Sequence, residues 1–333
     1  MELGVNNHIP LVTILIPVYN GSNFLEKAIR SAIAQTYPKI EIIVINDGSD
    51  DNNQTEDIAK KFEPEIKYIG IGQNLGVSTA LNIGLKEAQG EFISWLSHDD
   101  LYHPEKISRQ IQRYFKEENP NTILYCNFNN INTFNNTITK DPVKHVAKEQ
   151  FRFWLLSEGN LHGCTLLIPK NAFKICGVFN EKLQTVQDID MWFRMSSIFS
   201  FVCLDEELVF FRIHEQQDSI TKKKIHREEC NDFFSQAILQ LTAIDVMNGS
   251  GTHLIGGYTK LIESLKRRNF FKAAKVVGLR VGMLIRVNVF IRSIFISIVI
   301  FLTKIYKKSR CIFISIVIFL TKIYKKSRLI FKL

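Results

Sequence analysis

The sequence predicts an α/β protein: a Rossmann-like, mostly parallel central sheet with helices on both faces, followed by a C-terminal helical extension. Three observations carry that expectation. Short β-branched apolar runs alternate with amphipathic stretches through the first third of the chain; polar and acidic segments fall directly after those runs; and acidic residues stop at Glu263, beyond which seventeen Lys and Arg accompany long apolar stretches.

In chain order, LVTILIPV (11–18) reads as a strand, SNFLEKAIRSAIAQ as a helix, IEIIVIND as a second strand, and the next helix runs through Phe62. IKYIGI supplies a third strand, Val77 to Ala88 a helix, EFISWL a fourth strand, and Pro104 to Phe115 a helix with its proline suited to the first turn. Strands alternating with helices in this way wind a parallel sheet covered on both sides. Residues 129–142 (NNINTFNNTITKDP) are rich in Asn and Thr and read as a long loop, either over the sheet or between subdomains. A helix from Phe151 to Ser157, a strand CTLLIP, a short helix to Cys176, the helical segment QDIDMWFRMSSIF and two helical regions at 221–248 and 254–268 follow. This reading divides the chain into an α/β domain at 1–220, a helical region at 221–285 and a basic tail at 286–333.

The tail repeats itself: IFISIVIFLTKIYKKSR at 294–310 recurs letter for letter at 312–328, a period of eighteen residues. Eighteen residues make about five helical turns, so both copies would present one face. On a helical projection Arg286, Arg292, Lys304, Lys307, Lys308 and Arg310 lie opposite Ile294, Phe295, Ile298, Val299, Phe301 and Leu302, an amphipathic arrangement that suits the interface of an anionic membrane. Each uncharged run is eleven residues, or about 17 Å of helix against a bilayer core of about 30 Å, too short to span alone. Packing against protein, including pairing between chains into an oligomer, and a span over 281–303 are the alternatives.

The net charge of +9 divides unevenly, with −8 on residues 1–263. A mildly acidic globular part is unsuited to nucleic acid. Six cysteines without a CxxC pair, and an N-terminus without a secretory pattern, point to the cytoplasm, on the inner face of the cell membrane if the tail docks there.

In a parallel α/β sheet the ligand lies at the carboxyl ends of the strands. Those ends read Pro17-Val18-Tyr19-Asn20, Asn46-Asp47-Gly48-Ser49-Asp50 and Ser97-His98-Asp99-Asp100, so Asp47 and the pair Asp99/Asp100 should converge. Adjacent carboxylates repel one another, and a divalent cation such as Mn²⁺ or Mg²⁺ relieves that repulsion while leaving open positions for phosphate oxygens. Helix capping by Asp99 and Asp100, and an ordinary turn at Asp47-Gly48-Ser49, are the alternatives. Asp188, taken alone, reads as the N-cap of the helix that follows it. Trp95, Trp154 and Trp192 read as packing residues.

Taken in order from Val12 to Ser219, the segments VTILIPVYNGSNFLEKAIRSAIAQTYPKIEIIVINDGSDD, NLGVSTALNIGLKEAQGEFISWLSHDD, GVFNEKLQTVQDIDMWFRM and LVFFRIHEQQDS resemble the inverting family 2 glycosyltransferases with the GT-A fold, of the bacterial surface-polysaccharide type. The resemblance implies transfer of a sugar from a nucleotide sugar, UDP by family preference, to a hydroxyl of a glycan or lipid-linked acceptor. It further implies that Pro17, Val18, Tyr19, Asn20, Asp47, Asn74 and Gly76 bind the nucleotide. Asp99 would hold ribose or metal, Asp100 the metal, His214 a diphosphate oxygen or the metal with help from Arg212, and Asp188 would act as the base. The chain departs from the family pattern at Ser97, where many relatives carry the first Asp of a DxD triplet, and at Gln187, where a Glu often precedes the base. A dinucleotide-dependent oxidoreductase is less well served, since GIGQNLG (70–76) has the spacing GxGxxxG and follows the third strand. A nucleotidyltransferase would carry a Gly-rich basic loop after the first strand, and a catalytically inactive, membrane-tethered scaffold would not need Asp47, Asp99, Asp100 and Asp188 together.

Overall fold

The computed structural model describes residues 8–141, 145–159 and 161–306, which fall into two compact units, one drawn from Met1–Phe151 and Gly159–Glu229, the other from Arg152–Glu158 and Cys230–Leu333. The first unit opens with β1 (Val12–Val18), α1 (Leu25–Ile33), β2 (Ile40–Asn46), α2 (Gln54–Lys60), β3 (Lys67–Gly70), α3 (Val77–Glu87) and β4 (Phe92–Trp95). These strands form a parallel sheet of order β3-β2-β1-β4. β1 lies inside it and is buried along its whole length, which is why its sequence is continuously apolar rather than alternating. α1 covers one face with Leu25, Ala28, Ile29 and Ala32 at helical spacing. α3 lies close against the sheet because of Gly84, where a Cβ would come within 2.9 Å of Ile45 Cδ1 and 3.0 Å of Leu15 Cδ2. The alternation read in the sequence is therefore the observed one, and it gathers the carboxyl ends of all four strands at one edge.

The chain continues through β5 (Leu101–Tyr102), α4 (Lys106–Tyr114), β6 (Thr122–Ile131), β7 (Thr137–Asp141), α5 (Lys148–Ser157), β8 (Ile168–Pro169), α6 (Asn171–Cys176), α7 (Gln187–Met195) and β9 (Ser200–Arg212). β8 pairs antiparallel with β4, and a second sheet has the order β5-β9-β6-β7. Two sequence expectations are corrected here. Residues 129–142 are expected as a long loop, but the described part, 129–141, finishes β6, turns at Asn132–Asn136 and returns as β7. The turn is held by Asn132 Oδ1, which accepts from the N–H groups of Phe134 (2.9 Å) and Asn136 (3.0 Å), with Asn135 in the left-handed region. Asn-rich composition mimics a loop, but the long β9 supplies a ladder that overrides local propensity, pairing Thr122 through Ile131 with Ser200 through Arg212. CTLLIP is likewise only partly extended, with a 3₁₀ turn at Gly163–Thr165 and β8 confined to two residues.

The remaining elements are α8 (Asp218–Thr221), α9 (Lys223–Gln240), α10 (Ala243–Ser250), α11 (Leu254–Arg267) and α12 (Phe271–Tyr306). The helical region expected at 221–248 is interrupted at Thr242, which forms a reciprocal capping box with Asp245 and starts α10 afresh. In the second unit Phe234 stacks on Phe270 at 5.2 Å, and Arg280 donates to the carbonyls of Ile238 (2.7 Å) and Leu241 (3.0 Å), closing the end of α9.

α12 is one continuous helix of 36 residues, and its Phe271–Ile298 stretch is long and apolar enough to cross a membrane, with a mean hydropathy of 1.8. Leu279, Met283, Phe290 and Ile294 are exposed along one side of the described helix, and Ile285, Val289 and Ile296 along another. Residues 307–333, with the second copy of the repeat, lie outside the described residues.

Candidate active site

The loops after β1, β2 and β3 are tied together before any ligand arrives. The Asp47 N–H donates to Val18 O at 2.8 Å, and the Asn20 N–H donates to Ser49 Oγ at 2.9 Å. Asn20 and Asp50 bond reciprocally, side chain to side chain at 2.6 Å and Asp50 N–H to Asn20 Oδ1 at 3.0 Å. The Asp47 carboxylate accepts the N–H groups of Leu75 and Gly76, both at 2.8 Å, so it anchors the turn that enters α3. Gly48, with φ of 67°, is required at this crossing because a Cβ would lie 2.2 Å from the Gln73 carbonyl carbon. Burial pushes the Asp47 carboxyl upward, opposed by those two backbone bonds and by the charge of Lys222.

The acidic turn after β4 separates its two carboxylates. Asp99 faces a cleft of about 550 Å³ and meets His214 Nε2 at 2.9 Å through Oδ2. Burial pushes its carboxyl upward, but the His214 hydrogen bond and the charges of His98 and His214 outweigh that and leave it below the usual range. Asp100, expected as a metal ligand, points away from the cleft and is 0% exposed. Its Oδ1 accepts the Arg212 N–H at 2.9 Å, its Oδ2 accepts the Cys164 thiol at 3.3 Å, and His162 Nε2 lies 3.8 Å away. Burial, then repulsion from Asp99, holds the Asp100 carboxyl well above the usual range. Asp100, His162 and Cys164 together make a compact donor set of metal-ligating type, enclosed behind the cleft.

The reason for this split lies in strand register. β5 starts one residue after Asp100 and pairs antiparallel with β9, Leu101 opposite Phe210, which brings Arg212 against the acidic turn. The Arg212 guanidinium donates from Nε to Asp99 O (2.7 Å) and from Nη1 to Asn132 O (2.8 Å), and it lies 4.6 Å over the Phe24 ring. Two residues on, His214 tilts against the same ring at 5.1 Å and reaches Asp99. The order in space is thus Arg212 as clamp on the turn and His214 as partner of its outward carboxylate.

Pro17, Val18, Tyr19, Asn20, Asp47, Asn74, Gly76, Asp99 and His214 all line the one cleft, together with Ser97, His98, Gln187 and Lys222. Asp188 is not on the lining but follows Gln187 in the first turn of α7. It does not cap that helix: the N-cap is Val186, with no side-chain bond, and Asp188 Oδ1 instead accepts the next N–H, of Ile189, at 2.7 Å. Burial raises its carboxyl to about 6, partly offset by the Ile189 bond. Trp95, read from the sequence as packing, lines the cleft, whereas Trp154 and Trp192 are buried as expected. Sequence reasoning also missed Cys164 and His162, which carry no motif; only the clamp at Arg212, in RIHEQQDS, left a sequence signal.

This fold is shared with proteins solved in complex with nucleotide sugars. S. aureus TarS residues 1-349, solved with UDP-GlcNAc, superposes with a TM-score of 0.57 at 18% identity over 77% of this chain and 72% of that one. The mannosyltransferase PcManGT of Pyrobaculum calidifontis, solved with GDP-Man and Mn²⁺, superposes with a TM-score of 0.54 at 14% identity over 84% and 81%. The architecture is that of the GT-A glycosyltransferases.

Among curated relatives, an uncharacterised glycosyltransferase of Rickettsia conorii is 42% identical over 253 residues, and the chain spans 41% of that protein's length. One of Rickettsia prowazekii is 39% identical over 272 residues, covering 80% of this chain and 84% of the relative. The family model for glycosyl transferase family 2 matches residues 13–176, and the chain belongs to that family of transferases.

Proposed function

We propose that this chain moves a sugar, with inversion at the anomeric carbon, from a UDP-sugar to a hydroxyl of a glycan or lipid-linked acceptor of surface-polysaccharide type. The observation that carries the proposal is the Asp99–His214 pair, 2.9 Å apart on the cleft that also contains Tyr19, Asp47, Asn74 and Gly76. Tyr19 offers an aromatic face and Asp47 a carboxylate edge to a base, while Asp99 and Lys222 stand where a diphosphate would lie.

A carboxylate oxygen and an imidazole nitrogen are a fitting donor set for Mn²⁺ or Mg²⁺, and the metal site is assigned to Asp99 and His214 in place of Asp100. When bound, the metal neutralises charge building on the departing diphosphate. With Ser97 instead of a carboxylate the protein would offer a bound metal less charge, and more of its ligation would fall to the diphosphate. Asp188, ionised above pH 6, takes the proton of the acceptor hydroxyl as its oxygen bonds to the anomeric carbon and the bond to the diphosphate breaks.

A screen of radiolabelled nucleotide sugars, with and without Mn²⁺, tests the proposal: metal-stimulated release of UDP from at least one UDP-sugar is expected. Tight NAD(P)H binding with no turnover of any nucleotide sugar would overturn it. Lipid is proposed as a second partner, because α12 exposes apolar residues along two of its sides and no acidic residue follows Glu263. Deleting residues 286–333 should release the protein from anionic liposomes; unchanged co-sedimentation refutes docking through the tail, and carbonate-resistant binding of the full chain indicates a spanning helix rather than an interfacial one.

A further inference from the structure

α7 starts without a side-chain cap, yet the chain that leads into it is held from another helix. Glu229 of α9 accepts through Oε1 from the Gln184 N–H (2.8 Å), and through Oε2 from the Thr185 N–H (2.8 Å) and the Thr185 hydroxyl (2.7 Å). His226 Nδ1 lies 3.2 Å from that same hydroxyl oxygen. A carboxylate with both oxygens engaged on consecutive backbone N–H groups fixes their direction as well as their distance, because hydrogen bonds to a charged acceptor are the short and strong ones. Asp188 follows three residues after Thr185.

The segment is gripped from two sides. From α3, Ser78 Oγ donates to Leu183 O (3.1 Å), while Asn82 donates to Phe179 O (2.9 Å) and accepts from the Phe179 N–H (3.0 Å). From α9, Lys222, His226 and Glu229 are half-buried whereas the residues between them are exposed, a spacing of i, i+4 and i+7 that puts the three on one helical face. Lys222 belongs to the first turn of that helix, since its carbonyl accepts from the His226 N–H at 2.9 Å, and it lines the cleft. The same face therefore meets the cleft at its start and, about 10 Å further along the helix, the segment that enters α7.

We infer that Glu229 is a positioning residue for Asp188: by holding the Gln184 and Thr185 N–H groups it sets where the first turn of α7 begins, and so where the base stands beside the cleft. The inference rests on the reading of Asp188 as the base. Glu229 is not on the cleft lining and acts through the backbone. A base must meet its hydroxyl within hydrogen-bond reach, and a displacement of about 1 Å costs on the order of 100-fold in rate. An amide in place of the Glu229 carboxylate offers one acceptor oxygen and turns an NH₂ group toward one of the two N–H donors, so Glu229→Gln breaks the grip without changing the size of the side chain.

The test uses the full-length chain, the rate of UDP release at saturation from the UDP-sugar that the wild type turns over, and UDP affinity measured by calorimetry. Glu229→Gln should lower kcat by about tenfold or more while UDP affinity stays within about threefold. Thr185→Val, which removes only the hydroxyl bond and leaves α9 untouched, should lower kcat by about threefold. A double-mutant cycle carries the decision. If Glu229 acts through Asp188, then Asp188→Asn combined with Glu229→Gln, or with Thr185→Val, should be no slower than Asp188→Asn alone, within about twofold. Losses that multiply in the double variants, a parallel loss of UDP affinity, or wild-type kcat in Glu229→Gln would overturn the inference while leaving Asp188 as the base; full activity of Asp188→Asn removes the base reading itself.

Discussion

Asp188→Asn is expected to lower kcat by roughly 10²–10⁴-fold, the usual contribution of a positioned general base, while UDP affinity stays nearly unchanged. The expectation follows from the position of the residue rather than from its charge alone. Asp188 sits in the first turn of α7, half-buried, beside cleft-lining Gln187, and burial raises its carboxyl to about 6. A base must be ionised to accept a proton, so wild-type activity should fall about tenfold per pH unit below 6 and level off above it; the Asn variant should lose that limb. Stability runs the other way. A carboxyl whose folded value lies above its unfolded one costs stability as pH rises through that interval, so the Asn variant should melt no lower than wild type at pH 7. Loss of UDP binding together with a lowered melting temperature would instead mark Asp188 as structural.

Asp99→Asn and His214→Ala are each expected to reduce kcat/KM by about 10²–10³-fold and to abolish the Mn²⁺ dependence of UDP binding, because each removes one of the two donor atoms that meet at 2.9 Å on the cleft. Since the two act as one unit, the double variant should be little worse than either single one. Asp100→Asn is the contrasting case. Both oxygens of the Asp100 carboxyl are spent inward on the Arg212 N–H and the Cys164 thiol, so an amide of the same shape should leave metal-dependent UDP binding largely intact. Isothermal titration of UDP with and without Mn²⁺ checks all of these, and a larger loss of metal dependence for Asp100→Asn than for Asp99→Asn would reverse the assignment.

The Asp99/Asp100 pair shows how far sequence reasoning reaches. That both carboxylates lie after a strand at the edge of a parallel sheet follows from local pattern, as does the convergence of Asp99 with Tyr19, Asp47 and Gly76. Which of the two faces the cleft depends on Arg212, which is more than a hundred residues away in the chain and reaches Asp100 through the pairing of β5 with β9. No local signal carries that register. The same holds for residues 127–131: five consecutive positions pair with Glu207, Val209, Phe210, Phe211 and Arg212, so a segment whose composition favours a turn is held extended.

Trp95 makes the point from another side. A tryptophan at the end of an apolar strand is indistinguishable by pattern from a core residue, and only the packing of Gly163 and Phe179 against it shows the ring on a cleft wall with its N–H unmatched. α12 is a comparable case, since composition marks its apolar and basic character but the placement of its exposed residues around the helix needs coordinates.

By itself, the sequence determined the α/β class, the order of the first four strands and helices, the family, and the residues that gather at the sheet edge, because periodicity and turn chemistry are local. Tertiary structure decided that Asp99 faces the cleft and Asp100 the interior, that His214 is the partner of the former and Arg212 of the latter, and that Trp95 lines the cleft. Those outcomes depend on strand register and on burial, and both arise only when distant segments compete for the same hydrogen bonds.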